Sequence, residues 1–145
     1  MDNTKHPAIN IEKIHLIECS ASVSDPSAEL RYNLALTQLL REEKGGSLFV
    51  LAGFDLMHGV DKPPCSLTCS FAAEYTQTDP PNMTWKEFSD GLVVAHILPY
   101  VREFVSSVTL RMPMSVLILS PSNTFVLVDE YNKRKALEAT PPAKG

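Results

Sequence analysis

Apolar residues are spaced in two different ways along this chain, and the change falls at Asp79-Pro80-Pro81-Asn82. Before that point the pattern reads as strands. Ile9, Ile11, Ile14, Leu16 and Ile17 make a mostly apolar run with polar interruptions. In Tyr32-Asn33-Leu34-Ala35-Leu36-Thr37 the larger apolar residues Tyr32, Leu34 and Leu36 alternate with smaller or polar ones and so share one face of a second run, as the two-residue period of a strand requires. Residues 30–43 also contain good helix formers, so a helix there is the alternative. Ser47 to Met57 and Cys65 to Thr78 give a third and a fourth run. Asp25-Pro26-Ser27, Gly45-Gly46 and Asp61-Lys62-Pro63-Pro64 separate them as turn signals, and the Gly-Gly pair suits a tight hairpin. Four such runs predict an antiparallel meander.

After residue 82 the period becomes helical. Thr84-x-x-Glu87 fits a capping box at a helix start. Ile97, Val101, Phe104, Val105 and Val108 then recur on one helical face, with Arg102, Glu103, Ser106, Ser107 and Thr109 opposite. Pro99 belongs in a first turn or at a kink, because proline inside a helix costs roughly 3 kcal/mol. Val116 to Leu119 links this helix to a second element, for which Ser120 is the expected cap and Pro121 the expected first-turn residue. Local propensity reads Thr124-Phe125-Val126-Leu127-Val128 as strand instead. The expected fold class is α+β, with a domain over residues 1–135 and a flexible tail over 136–145.

Composition changes this picture little. The chain has 145 residues, enough for one ordinary core. Its net charge of −4 and single basic run, Lys133-Arg134-Lys135, argue against nucleic acid as a partner. No signal-peptide pattern opens it and no continuous apolar run reaches 18 residues, so a membrane span is not expected. Three cysteines fit reduced thiols in a cytoplasmic protein.

No catalytic set emerges, and no cofactor or metal is expected. The glycines are too scattered for a phosphate loop. Cys65 and Cys69 would lie about 13 Å apart on one strand face, too far for one metal ion, so buried thiols are the expectation. His96 reads as a hydrogen-bonded core or interface residue, Arg102-Glu103 as an ion pair between neighbouring helices, and Trp85 as an anchor of the helix start on the sheet. Leu48, Phe49, Val50 and Leu51 in succession, and Val116 to Leu119 later, exceed what one sheet and two helices can cover. Self-association or an apolar partner has to cover the rest.

Over residues 98–123 the chain resembles the SecB family of export chaperones. The resemblance rests on Pro99, Tyr100, Arg102 and Glu103, on Arg111, and then on Leu117, Leu119, Pro121 and Asn123 at the family's spacing. Ile11-x-Lys13-Ile14-His15 is similar to the family's first strand. Departures are Met112, Pro113, Met114 and Ser115 in the inter-helix turn, and Thr124-Phe125 where the family has Phe at once. The resemblance implies a four-stranded antiparallel sheet with two C-terminal helices packed on one side. It implies an ATP-independent holdase, without catalysis, for unfolded polypeptide clients in protein export. It also implies a homotetramer, a dimer of dimers. On that basis the peptide-binding groove is expected at Tyr32, Leu34, Phe49, Phe54, Phe125 and Leu127. The oligomer interface is expected at Ile97, Tyr100, Val101, Phe104 and Val108. Glu18 matches an acidic position facing the SecA-type motor, whereas Ser70 stands at a second one and Lys144 lies in a tail that is acidic in the family. Two other readings stand beside this one: an adaptor of the same fold dedicated to one client, such as an antitoxin or a secreted protein, and a small α+β ligand-binding domain.

Overall fold

The computed structural model describes residues 9–29, 31–78 and 83–139. Four strands and two helices follow in chain order: β1 (Ile9–Val23), β2 (Ala35–Lys44), β3 (Ser47–Asp55), β4 (Cys65–Gln77), α1 (Asp90–Thr109) and α2 (Thr124–Ala139). Residues 31–43 are therefore not helical, and residue 30 lies outside the described residues; strand begins at Ala35, and Tyr32 and Leu34 precede it. The boundary at residues 79–82 and residues 140–145 of the expected tail lie outside the described residues.

All strand pairs are antiparallel, and the order across the sheet is β1-β4-β3-β2. This corrects the meander. β2, β3 and β4 follow one another, but β1 crosses to the far edge and pairs with β4, as in a Greek key. Local patterning cannot show this, because β1 and β4 meet through a register set 50 residues apart, Cys19 opposite Cys69. The β2–β3 hairpin turns at Gly45 and Gly46, both at positive φ (60° and 81°), which glycine adopts without a Cβ clash.

Both helices cover one face of the sheet. Leu48, Val50, Ala52 and Phe54 of β3 and Leu67, Cys69, Phe71, Ala73 and Tyr75 of β4 point inward. Val94, Ile97, Val101 and Val105 of α1 meet them and are fully buried. By length and composition α1 would also suit a bilayer crossing, but this burial makes it the core helix. Tyr75 Oη donates to the Val93 carbonyl (3.2 Å), and Phe71 meets Phe104 edge-on, so β4 fixes the position of α1.

The helix ends differ from expectation. Thr84 and Glu87 do exchange the capping-box bonds, but they close an isolated turn. The cap of α1 is Ser89, whose Oγ accepts the Leu92 amide (3.3 Å). Pro99 lies in mid-helix on the exposed side. Asn123, not Ser120, caps α2: its Oδ1 accepts the amides of Phe125 (3.1 Å) and Val126 (3.3 Å). Residues 124–128 are thus helical against their local propensity. Docking supplies the difference, since Leu127, Val128 and Tyr131 are buried and Thr124 Oγ1 donates to the Gly91 carbonyl (2.7 Å).

Candidate functional site

Among the described residues, exposed apolar side chains gather on two surfaces, one beside the helices and one on the bare face of the sheet. The first is the connector between α1 and α2 together with the start of α2. Val116-Leu117-Ile118-Leu119 alternates outward and inward. Leu117 and Leu119 are buried, while Ile118 is 73% exposed and Val116 44%. Hydrogen bonds to the inward-facing residues hold the segment in this pose. The Leu117 amide donates to Thr109 Oγ1 (2.9 Å), Ser106 Oγ donates to the Leu117 carbonyl (3.3 Å), and Arg102 Nε donates to the Leu119 carbonyl (3.1 Å). Arg102 thus serves the connector backbone rather than an ion pair with a neighbouring helix. The Ser120 amide donates to Tyr32 Oη (3.0 Å), which ties the connector to the segment before β2. Beyond it Phe125 (57% exposed) and Val126 continue the apolar strip.

The second surface is a shallow groove of ≈ 770 Å³ across the outer face of the sheet. Register builds it. Leu40, Leu51, Ala72 and His15 stand directly opposite one another across the four strands, and Glu42, Phe49, Glu74 and Lys13 form the adjacent row. Ile17 adds to the wall from the bulge between Leu16 and Glu18, where it has no cross-strand partner. Leu40 is 51% and Phe49 38% exposed, so the floor is apolar and its rim carries charges of both signs. Glu18 is exposed on β1 opposite Ser70.

The six residues expected to form one groove do not share one surface. Phe49 lies on the outer face. Phe54, five residues along the same strand, lies on the inner face and is fully buried. Leu34 and Leu127 are also buried, Tyr32 is half-buried and bonded to the connector, and Phe125 is exposed beside it. The expected interface divides in the same way. Ile97 and Val101 are consumed by the protomer's own core, Phe104 and Val108 are half-buried at its border, and Tyr100 is exposed. Leu40 and Ile17 were missed as surface residues, while Leu51, Val116 and Ile118 belong to the runs expected to exceed the cover. The signal for the outer face was the strand alternation itself, which sets Phe49 opposite in sense to Leu48 and Val50.

Titratable groups here support packing rather than chemistry. His96 meets Tyr75 and Phe88 edge-on (6.1 and 5.4 Å between centroids), and burial lowers its pKa. Burial also raises the Cys65 thiol, and pushes Cys69 up to about 12 with a smaller contribution from Cys19. Trp85 is buried, and its Nε1 donates to the Gly46 carbonyl (3.0 Å), so it does anchor the approach to α1 on the β2–β3 turn. Arg41 strengthens that anchor through Asp90 (2.7 Å) and the Trp85 carbonyl (2.8 Å). Among the described residues no three His, Cys, Asp or Glu side chains converge as a metal site.

Among solved structures the chain is similar to the Rv1957 SecB-like chaperone of Mycobacterium tuberculosis, solved with a ChAD peptide from the Rv1956 HigA1 antitoxin. The two superpose with a TM-score of 0.63 at 20% identity, over 79% of this chain and 91% of that one. The fold is SecB-like. A protein of unknown function from Streptococcus agalactiae is more distant, with a TM-score of 0.46 and 13% identity over 78% of this chain and 97% of that one. No protein-family model matches the chain, and no curated protein does. At this identity the SecB-like architecture is what the two proteins share, and the exposed residues of this chain have to be read on their own chemistry.

Proposed function

We propose that this chain is a SecB-like, non-catalytic chaperone or adaptor that holds apolar segments of other polypeptides. The observation that carries the reading is the connector: Ile118 and Val116 are held outward by bonds made entirely through their inward-facing neighbours. A side chain fixed outward in this way loses little conformational entropy when it binds, which favours contact with a partner over chance exposure. The outer groove around Leu40 and Phe49 supplies a second patch, and several weak patches on one assembly give avidity for long, unfolded chains. Binding of this kind needs no nucleotide.

Assembly is part of the proposal. β1 pairs with β4 on one side and, among the described residues, with no strand on the other. A free strand edge of this length is a template for a second copy, and an oligomer such as a dimer of dimers follows naturally from it. Dedication to one client is the second reading, favoured by the antitoxin peptide held by the Mycobacterium tuberculosis protein. Delivery to a SecA-type motor in the cytoplasm is the least supported part, because Glu18 faces Ser70 rather than a second acid.

Light scattering after size exclusion, alone and with an equimolar reduced, unfolded test protein, checks the reading. A tetramer that takes up the unfolded chain and suppresses its aggregation is the expected result. A monomer that ignores unfolded protein overturns it. A tetramer that binds one peptide class only selects the adaptor.

A further inference from the structure

Cys19 and Cys69 are direct cross-strand partners in the β1–β4 ladder. Opposed residues of an antiparallel pair have Cα atoms about 4.5–5.5 Å apart and side chains on one face, inside the range a disulfide spans. Cys19 is exposed and Cys69 is buried beneath the helices. Cys65 is buried as well but lies opposite Val23, about 13 Å farther along β4, outside the reach of Cys19.

We propose that Cys19 and Cys69 form a reversible disulfide that staples the edge strand β1 to β4 under oxidising conditions. The division of labour follows from exposure. The Cys19 thiolate attacks a low-molecular-weight disulfide such as glutathione disulfide, forms a mixed disulfide and releases one glutathione. Cys69 then gives its proton to solvent and attacks the Cys19 sulfur, and the second glutathione leaves. Two protein thiols are oxidised and one glutathione disulfide is reduced to two glutathione molecules. The second step is the slow one, because burial holds Cys69 in its thiol form.

The staple lies beside the bulge between Leu16 and Glu18, from which Ile17 reaches the outer groove. Closing it fixes the strand that supplies one groove wall and the open edge. The bond itself does not depend on the proposed client binding, so its test is separate from that of the function.

The full chain is equilibrated in graded glutathione redox buffers, quenched, alkylated and mapped by mass spectrometry without reduction. The wild type and Cys65→Ser are expected to gain one intramolecular Cys19–Cys69 bond that dithiothreitol reverses. Cys69→Ala is expected to stop at a glutathione adduct on Cys19. The oxidised wild type should melt roughly 5–10 °C higher than the reduced form. A wild type that accumulates only the Cys19 adduct, or links Cys19 between two chains, overturns the proposal.

Discussion

The two edges of the sheet are finished in different ways. At β2 the chain closes its own edge. The Leu39 amide, which no strand pairs, donates to Tyr131 Oη (3.2 Å), and Arg134 Nη2 donates to the Leu36 carbonyl (2.5 Å). Side chains of α2 thus stand where a fifth strand would lie. At β1 nothing equivalent is done among the described residues, where bulges at Ile11/Lys13 and Leu16/Glu18 interrupt the edge. An open edge invites pairing, and bulges restrict where it can start. The contrast teaches that α2 is as much an edge cover as a layer of the core, whereas β1 is left uncovered among the described residues, as the proposed assembly requires.

The sharpest way to break the contrast is to charge the open edge. Leu16 and Ile17 are exposed, so Leu16→Lys with Ile17→Lys removes little from the protomer core. The expected result is loss of the oligomer with the fold kept, read as a fall in mass by light scattering and an unchanged circular dichroism spectrum. The same mass in both proteins would place the assembly elsewhere.

The closed edge is opened from its hinge with α1. A Cβ on Gly91 would lie 2.4–2.8 Å from carbons of the Phe125 ring, closer than such atoms approach. Glycine to alanine inside a helix ordinarily gains up to about 1 kcal/mol. Here Gly91→Ala is expected to cost about 2 kcal/mol by overpacking and to loosen α2 from β2. Urea unfolding measures it. In a Phe125→Ala background the ring is gone, and Gly91→Ala should turn neutral or stabilising. Additive losses in the double variant would show that the clash is not the cause.

The difference between the edges also marks how far local pattern carries. β3, β4 and α1 were readable, because their apolar periods are long and bounded by glycine and proline. The expectation that apolar residues exceed the cover available was readable too, and Phe49 and Ile118 are where the excess lies. Which strand pairs with β1 was not, since no residue near Ile9–Val23 encodes a partner 50 residues away. The helix at residues 124–128 was legible only through the resemblance, because its support is the cap at Asn123 and the contact with Gly91. Phe49 and Phe54 are another matter. Their positions differ by five, so strand parity alone puts them on opposite faces, which a groove set taken from the resemblance did not respect.

A smaller change tests the edge cover itself. Tyr131→Phe keeps the buried ring and removes only the acceptor of the Leu39 amide. The expected cost is about 1 kcal/mol in urea unfolding, the usual worth of one such bond. Faster amide exchange at Leu39, with β1 unaffected, would show that the effect is confined to that edge.

The smallest effect is a pH dependence at the site that holds α1 to β4, away from both edges. His96 sits between the rings of Tyr75 and Phe88, and burial lowers its pKa below the ordinary 6.5. The unfolded chain therefore takes up this proton more readily than the folded one. Stability from the neutral ring is complete above pH 6.5 and is lost as pH falls through the lowered folded value. Carboxylates add their own slope in the same range, so the informative quantity is a difference. Thermal unfolding of the wild type and His96→Leu between pH 7.5 and about 5 should show a steeper acid loss in the wild type. Parallel curves would mean that the ring accepts its proton without leaving the aromatic cluster. With that outcome His96 would add nothing to the acid response of the core, and the slope both proteins share would belong to the carboxylates.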